Sequence, residues 1–167
     1  MYKLLFLMIL PVFLIGCAHV EPSEEWTSVQ SSVAEKLDAT ALWERSEEDA
    51  RLIALQTKAL LSEGLTRREA VQIALMNNRH LQSELNEVGI TVANFVEASL
   101  PRNPELDLEY RFPNGGGDEV LEGGLLFWIA DLWVVPLRRR TAEMTKQANL
   151  LAVEQTIIQT AVTAMQA

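Results

Sequence analysis

Cysteine is nearly absent from this chain of 167 residues, since Cys17 is the only one. A single cysteine excludes a disulfide within the chain. Histidine is almost as scarce, with His19 near the start and His80 in a helical stretch. These residues cannot assemble a metal cluster of the Cys and His type, and the sequence shows no catalytic constellation. We therefore expect no metal, no cofactor and no enzymatic activity.

Basic residues are also few. The chain holds 14 Lys and Arg against 23 Asp and Glu, which gives a net charge of −9. Proteins that bind nucleic acid need basic groups to contact the phosphates. We therefore expect no nucleic-acid partner.

The apolar run at the N-terminus, from Leu4 to Ile15, is too short to cross a bilayer as a stable helix. It has the shape of a secretion signal. The tetrapeptide LIGC at its end resembles the lipobox of bacterial lipoproteins, in which the cysteine becomes a lipidated N-terminus. We predict a signal peptide over residues 1–16 and lipid attachment at Cys17. An ordinary secretory signal with an incidental cysteine is the alternative. Ala18 resembles an outer-membrane sorting signal.

Residues 17–45 are polar and acidic, and we interpret them as a lipid-anchored tether with some helix. Trp26 and Trp43 stand out in this segment. They either dock on a partner or cover a local helix.

Residues 46–100 are predicted to be periplasmic helices. Ser46 has the character of an N-cap, and Thr66 with Glu69 forms a capping box. A single long helix is then predicted from Thr66 to Leu100, where Pro101 stops it. Its heptad-like stripe consists of Ala74, Asn78, Leu81, Leu85, Val88, Val92, Phe95 and Ser99.

Residues 101–137 are predicted to be a membrane β-hairpin with a glycine-rich turn at residues 113–118. Apolar and charged residues alternate strictly through the first strand, as in a strand with one wet and one apolar face. We predict a lipid-facing row of Leu106, Leu108, Tyr110 and Phe112, and a lumen-facing row of Glu105, Asp107, Glu109 and Arg111. The carboxylates could also suggest an acid and base pair, but neither a nucleophile nor a base accompanies them. The arginines at 138–140 either contact lipid phosphates or begin a solvated helix.

Residues 138–167 are predicted to form a second long periplasmic helix that starts near Thr141. One stripe comprises Met144, Ala148, Leu151, Gln155, Ile158, Val162 and Met165, and a second comprises Leu150, Val153, Ile157, Ala161 and Ala164. Two adjacent stripes indicate two neighbours. Both stripes still run at Ala167, so we expect a truncated helix and a partial chain.

Strands cross a bilayer only within a closed barrel, and one hairpin cannot close one. The sequence therefore predicts an α+β membrane protein, in which long periplasmic helices (a helical barrel) flank a transmembrane β-hairpin that joins a shared β-barrel.

The order of motifs over about residues 45–167 resembles the first repeat of the TolC-like outer membrane efflux proteins. The matching elements are Leu65-Thr66, Ala70-Val71, Ala74-Leu75, Asn77-Asn78, Leu81 and the break from Leu100-Pro101 to Pro104. LIGC matches the lipidated branch of that family, and residues 131–140 resemble its return into the second long helix. The family is built from two helix-hairpin-helix halves, and the resemblance implies that this chain corresponds to the first half only.

The resemblance implies a homotrimer in the outer membrane, whose hairpins join a shared trimeric β-barrel. The trimer is expected to dock on a periplasmic adaptor and an inner-membrane pump. The expected function is the outer membrane channel component of a tripartite efflux system, which exports small molecules or metal ions. The alternative is a lipid-anchored periplasmic helical tether or adaptor with a structural role.

Overall fold

The computed structural model describes residues 20–62, 64–112 and 120–166. Their elements are α1 (Ser23–Leu37), α2 (Glu47–Ser62), α3 (Arg67–Asn77), α4 (Arg79–Ser99), β1 (Glu105–Arg111), β2 (Val120–Leu126) and α5 (Asp131–Gln166). The predicted signal peptide, Cys17 and the predicted turn at residues 113–118 lie outside the described residues.

The core lies between α4 and α5. These helices run in opposite directions, since Thr91 of α4 meets Asn149 of α5 and Ala98 meets Arg138. The stripe predicted on the first long helix faces this core, and the largest fully buried side chains include Leu75, Met76, Leu81, Leu85, Val88 and Ile157.

Helix α1 and the segment after it close the core on one side. Val29 and Val33 of α1 are buried, as are Ala41 and Trp43 in the following segment. The Trp26 and Trp43 rings meet edge to face, with centroids 5.7 Å apart. The two tryptophans of the predicted tether therefore pack on each other and on this chain's own helices.

Ion pairs at two points join α1 to α5. Lys36 pairs with Glu154, which is buried and also accepts a 2.9 Å hydrogen bond from Ser32. Lys146 lies 3.0 Å from Glu25. The hydrogen bond from Lys36 holds the pKa of Glu154 below its ordinary 4.5, although burial opposes this shift. Burial alone would lower the pKa of Lys146, but the hydrogen bond and charge of Glu25 raise it above 10.5.

The sign of the Glu154 shift gives a pH prediction. Because the folded-state pKa is lowered, this carboxylate stabilises the fold above about pH 4.5 and stops doing so as the pH falls through the lowered value. At neutral pH we expect Glu154→Gln to lower the melting temperature by about 2–4 °C, the shift that about 1 kcal/mol gives in a chain of this size. The difference from wild type should vanish in acid. Melting curves across the pH range measure it.

The control is Glu87→Gln, at an exposed glutamate of α4. It should leave the melting temperature near that of wild type throughout. A wild-type advantage over Glu154→Gln that persists well below pH 4.5 would show that the carboxylate does not stabilise the contact through its charge.

The helix predicted from Thr66 to Leu100 is interrupted at Asn78. The backbone of Asn78 is extended, with φ −71° and ψ 110°. Its side-chain Oδ1 accepts from the amides of His80 and Leu81 at 2.9 and 3.1 Å, so Asn78 is the N-cap of α4. The starts of α2 and α3 confirm sequence predictions. The Thr66 capping box is present before α3, and Ser46 accepts a hydrogen bond from the Asp49 amide at the start of α2.

The predicted α+β membrane fold is wrong. The described residues form a small, mostly helical structure with one two-stranded antiparallel sheet. The prediction placed the long helices in a helical barrel beside a membrane hairpin, but α1, α3, α4 and α5 enclose a core within the single chain. Hydrophobic periodicity specifies which face of a helix is apolar and does not specify which partner covers it. In addition, α5 begins at Asp131, before Pro136, rather than near Thr141.

Candidate functional site

The two strands pair in an antiparallel register that separates an apolar from a polar face. Leu106 lies opposite Leu125, Leu108 opposite Gly123 and Tyr110 opposite Leu121. Side chains directly across an antiparallel pair share a face. We define the hairpin surface as this apolar face, and its large side chains are Leu106, Leu108, Tyr110, Phe112, Leu121 and Leu125.

The hairpin surface is exposed throughout. Leu108 is 66 % exposed, and Phe112, which lies beyond the end of β1, is 71 % exposed. The Phe112 ring packs edge to face on Tyr110, with centroids 4.4 Å apart. The exposure continues through residues 126–130 into the start of α5, where Leu132 and Trp133 are each 72 % exposed. A continuous apolar surface of this kind is typical of a contact with lipid or protein.

The opposite face carries the predicted lumen row, and it is also exposed. Arg111 lies 2.7 Å from Glu109 of its own strand and 3.1 Å from Glu122 of β2. The hydrogen bond from Arg111 lowers the pKa of the Glu109 carboxyl, and Glu109 in turn raises the pKa of Arg111. In the strand register, Glu105 lies opposite Leu126 and Asp107 lies opposite Gly124. The face keeps an acidic excess around one arginine.

A buried acid fastens the base of the hairpin to α5. Asp131, the first residue of α5, is 4 % exposed, and its Oδ2 accepts from the Arg102 amide at 2.8 Å. Its Oδ1 forms an ion-pair contact of 3.3 Å with the Arg102 guanidinium, which lies 4.4 Å from the centre of the Trp128 ring. The hydrogen bond from the Arg102 amide keeps the pKa of Asp131 below its ordinary range, against the effect of burial.

Arg138 secures the other side of the same junction. Its Nε donates to the Ala98 carbonyl at 2.8 Å, and its Nη2 donates to the Leu100 carbonyl. Carbonyls at a helix C-terminus have no partner within the helix, and a cation is favoured there. Arg138 therefore caps α4, while Asp131 stands at the positive end of α5. Asp131 and Arg138 together fix the orientation of the hairpin relative to α4 and α5.

Helix α5 presents a second apolar surface. Of its two predicted stripes, the one through Val153, Ile157 and Ala161 is buried in the core. The other, which we call the outer seam, points away from the core and consists of Met144, Ala148, Leu151, Gln155, Ile158, Val162 and Met165. Leu151 is 64 % exposed and Met144 is 59 % exposed. One neighbour of α5 is thus within the chain. The second stripe is exposed at Met144, Ala148, Leu151, Gln155 and Met165 and half-buried at Ile158 and Val162.

The remaining predicted residues are spread over the molecule. His80 is exposed near the start of α4. Arg139 lies 5.9 Å from the Phe95 ring, and Arg140 is exposed. Within residues 20–62, 64–112 and 120–166, no group of three or more His, Cys, Asp and Glu side chains is arranged to hold a metal ion.

Sequence reasoning gave no role to several residues that hold the structure together. For Asp131, the only sequence signal of a structural role is that an acidic residue is favoured in the first turn of a helix. Gln72 and Gln82 bind the backbone between α1 and α2. They carry no sequence signal, because a glutamine in a helical pattern looks like any other solvated residue.

Comparisons of the chain with known protein families, curated proteins and solved structures give no match. None of the described helices combines the length and apolar character needed to cross a membrane.

Proposed function

We propose that this chain is a lipid-anchored outer membrane component of a tripartite efflux system that exports small molecules or metal ions. The observation that carries the proposal is the presence of two exposed apolar surfaces, the hairpin surface and the outer seam, on a chain that already has its own core. Soluble monomers rarely leave such surfaces uncovered. The chain is therefore best understood as one subunit of a larger assembly.

The order of motifs supports the same proposal. The Leu65-Thr66 element is the cap of α3, Asn77-Asn78 is the break before α4, and Leu100-Pro101 leads from α4 towards β1. These elements occur in the order that resembles the first repeat of TolC-like efflux proteins. Each one marks a point where a helix starts or stops, which is why short motifs recur there.

The proposed partners follow from the surfaces. Lipid on Cys17 anchors the chain in the outer membrane, and the helices lie in the periplasm. The outer seam contacts other copies in a homotrimer, which docks on a periplasmic adaptor and an inner-membrane pump. The hairpin surface is covered by another part of this assembly. The polar face with Glu105, Asp107 and Glu109 faces water, where its acidic excess favours cations.

A second candidate is a lipid-anchored periplasmic tether or adaptor without a transport role. The docking of α1 favours it: Val33 of α1 and Ala41 after it are fully buried against the helices. An anchor at Cys17 would then hold a folded helical body close to the membrane. This candidate needs no export of small molecules.

The experiment compares accumulation of a fluorescent cation, ethidium, in host cells with and without the chain. We expect accumulation to rise when the chain is removed and to return to normal when the wild-type chain is restored. Leu151→Asp places a charge in the outer seam and should fail to restore export, because the contact between subunits is lost. Gln147→Asp is the matched control at an exposed polar position of α5, and it should restore export.

Outer membrane fractionation of the same cells separates the two candidates. A chain that stays in the outer membrane fraction while its removal leaves ethidium accumulation unchanged contradicts the efflux proposal and favours the tether. Full export by Leu151→Asp contradicts the role of the outer seam.

A further inference from the structure

The chain between α1 and α2 forms an extended strap, residues 39–45, that lies across α3 and α4. Its side chains alternate: Ala39, Ala41 and Trp43 are buried, whereas Thr40 and Glu44 are exposed. This two-residue repeat is that of a β-strand. The strap therefore shows the alternating burial of a strand, although it packs on helices.

Two glutamines bind the backbone of the strap as a neighbouring strand would. Gln72 of α3 accepts from the Thr40 amide at 3.0 Å and donates to the Thr40 carbonyl at 2.7 Å. Gln82 of α4 accepts from the Glu44 amide at 2.9 Å and donates to the Leu42 carbonyl at 2.7 Å. Each side-chain amide thus supplies one donor and one acceptor.

Trp43 anchors the strap. Its Nε1 donates to Oδ1 of Asn86 at 3.1 Å, the residue is 8 % exposed, and its ring packs edge to face on Trp26. Lifting the strap away from α4 would return this large ring to water, which is unfavourable. Removal of the ring should therefore release the strap.

Gln82 also contacts the break in the helix. Its Nε2 lies 3.2 Å from the Met76 carbonyl near the end of α3. In an unbroken helix that carbonyl would accept from the amide of His80, four residues later. Here the His80 amide is bonded to the Asn78 side chain instead. Gln82 therefore holds the strap and satisfies a carbonyl that the break leaves open.

We propose that the strap is a conformational switch for the long helix. When the strap is docked it stabilises the break at Asn78, and when it is released residues 67–99 form one continuous helix. The hydrophobic stripe runs through Asn78 in phase, from Ala74 to Leu81, so the local sequence is compatible with both states. Because the coupling is reciprocal, fixing the break must also tighten the strap.

The first measurement is the ¹³Cα chemical shift of Asn78 in the full mature chain, which distinguishes extended from helical backbone. In wild type it should be extended. In Trp43→Ala, which releases the strap, it should move towards the helical value. Trp133→Ala is the matched control, since Trp133 is exposed at the start of α5 and far along the chain from the strap. Its Asn78 shift should equal that of wild type.

The second measurement runs in the opposite direction and does not depend on the stability of Trp43→Ala. Arg79→Pro forbids a continuous helix, because proline at that position removes an amide donor and forces the preceding residue to be extended. Amide exchange at Thr40 and Glu44 should then slow about fivefold or more relative to Arg79→Ala. The proposal is overturned if Asn78 stays extended after the strap is released, or if Arg79→Pro leaves strap exchange unchanged.

Discussion

Ile157→Ala is expected to lower the free energy of unfolding by about 2–5 kcal/mol, the cost of removing a large aliphatic side chain from a closed core. Ile157 is fully buried in the stripe of α5 that faces α4. Alanine leaves a cavity there, and the helices that form the core, including α4 with Leu85 and Val88, can only partly collapse into it. Urea unfolding of the full chain, followed by circular dichroism, gives the difference.

The matched control is Leu151→Ala on the same helix. Leu151 lies in the outer seam and is 64 % exposed in the single chain. At protein concentrations at which the chain is monomeric, the change should therefore alter the free energy of unfolding by less than about 0.5 kcal/mol. Equal losses for the two variants would mean that the chain buries both stripes in solution. A large loss for Leu151→Ala alone would mean that the two stripes have been assigned the wrong way round.

Arg79→Pro is expected to leave the free energy of unfolding within about 1 kcal/mol of wild type, although it places a proline inside a stretch whose pattern predicts one helix. Arg79 is the first residue of α4, where the amide has no partner within the helix. Asn78 before it already has the extended backbone that a residue preceding proline prefers. Chemical unfolding with urea measures the change.

Glu87→Pro supplies the contrast. Glu87 is an exposed residue in the middle of α4, and proline there should cost about 3 kcal/mol or more by breaking a helical hydrogen bond. If Arg79→Pro costs as much as Glu87→Pro, residues 67–99 form a continuous helix in solution and the break at Asn78 is absent.

Local features of the fold were predictable because each depends on neighbouring residues. The Thr66 and Glu69 capping box and the Ser46 cap are present where the sequence places them. The alternation from residue 105 onward gives β1 with the expected separation of its two faces. Asn78 is itself a sequence signal for a helix start, because asparagine is among the best N-caps. The hydrophobic stripe that continues through it led to the prediction of one unbroken helix.

The candidate site was only partly predictable. The two rows of the hairpin follow from a period of two, and their exposure follows from the isolated two-stranded sheet. The junction between Asp131 and Arg102 joins residues that are far apart in sequence. A carboxylate in a first helical turn indicates a favourable charge position, and it does not indicate which distant amide it will bind.

By itself the sequence determined the starts of α2 and α3, the apolar faces of the helices and the alternation of the first strand, since each is set by residues within a turn or two of one another. Tertiary structure decided the rest. It selected the stripe through Ile157 for the core and left Leu151 outside, although both stripes have the same period. It also placed the strap on Gln72 and Gln82 and stabilised the break at Asn78. Such choices depend on which surfaces meet once the chain is folded, and the free energy of those contacts outweighs the local preference for a continuous helix.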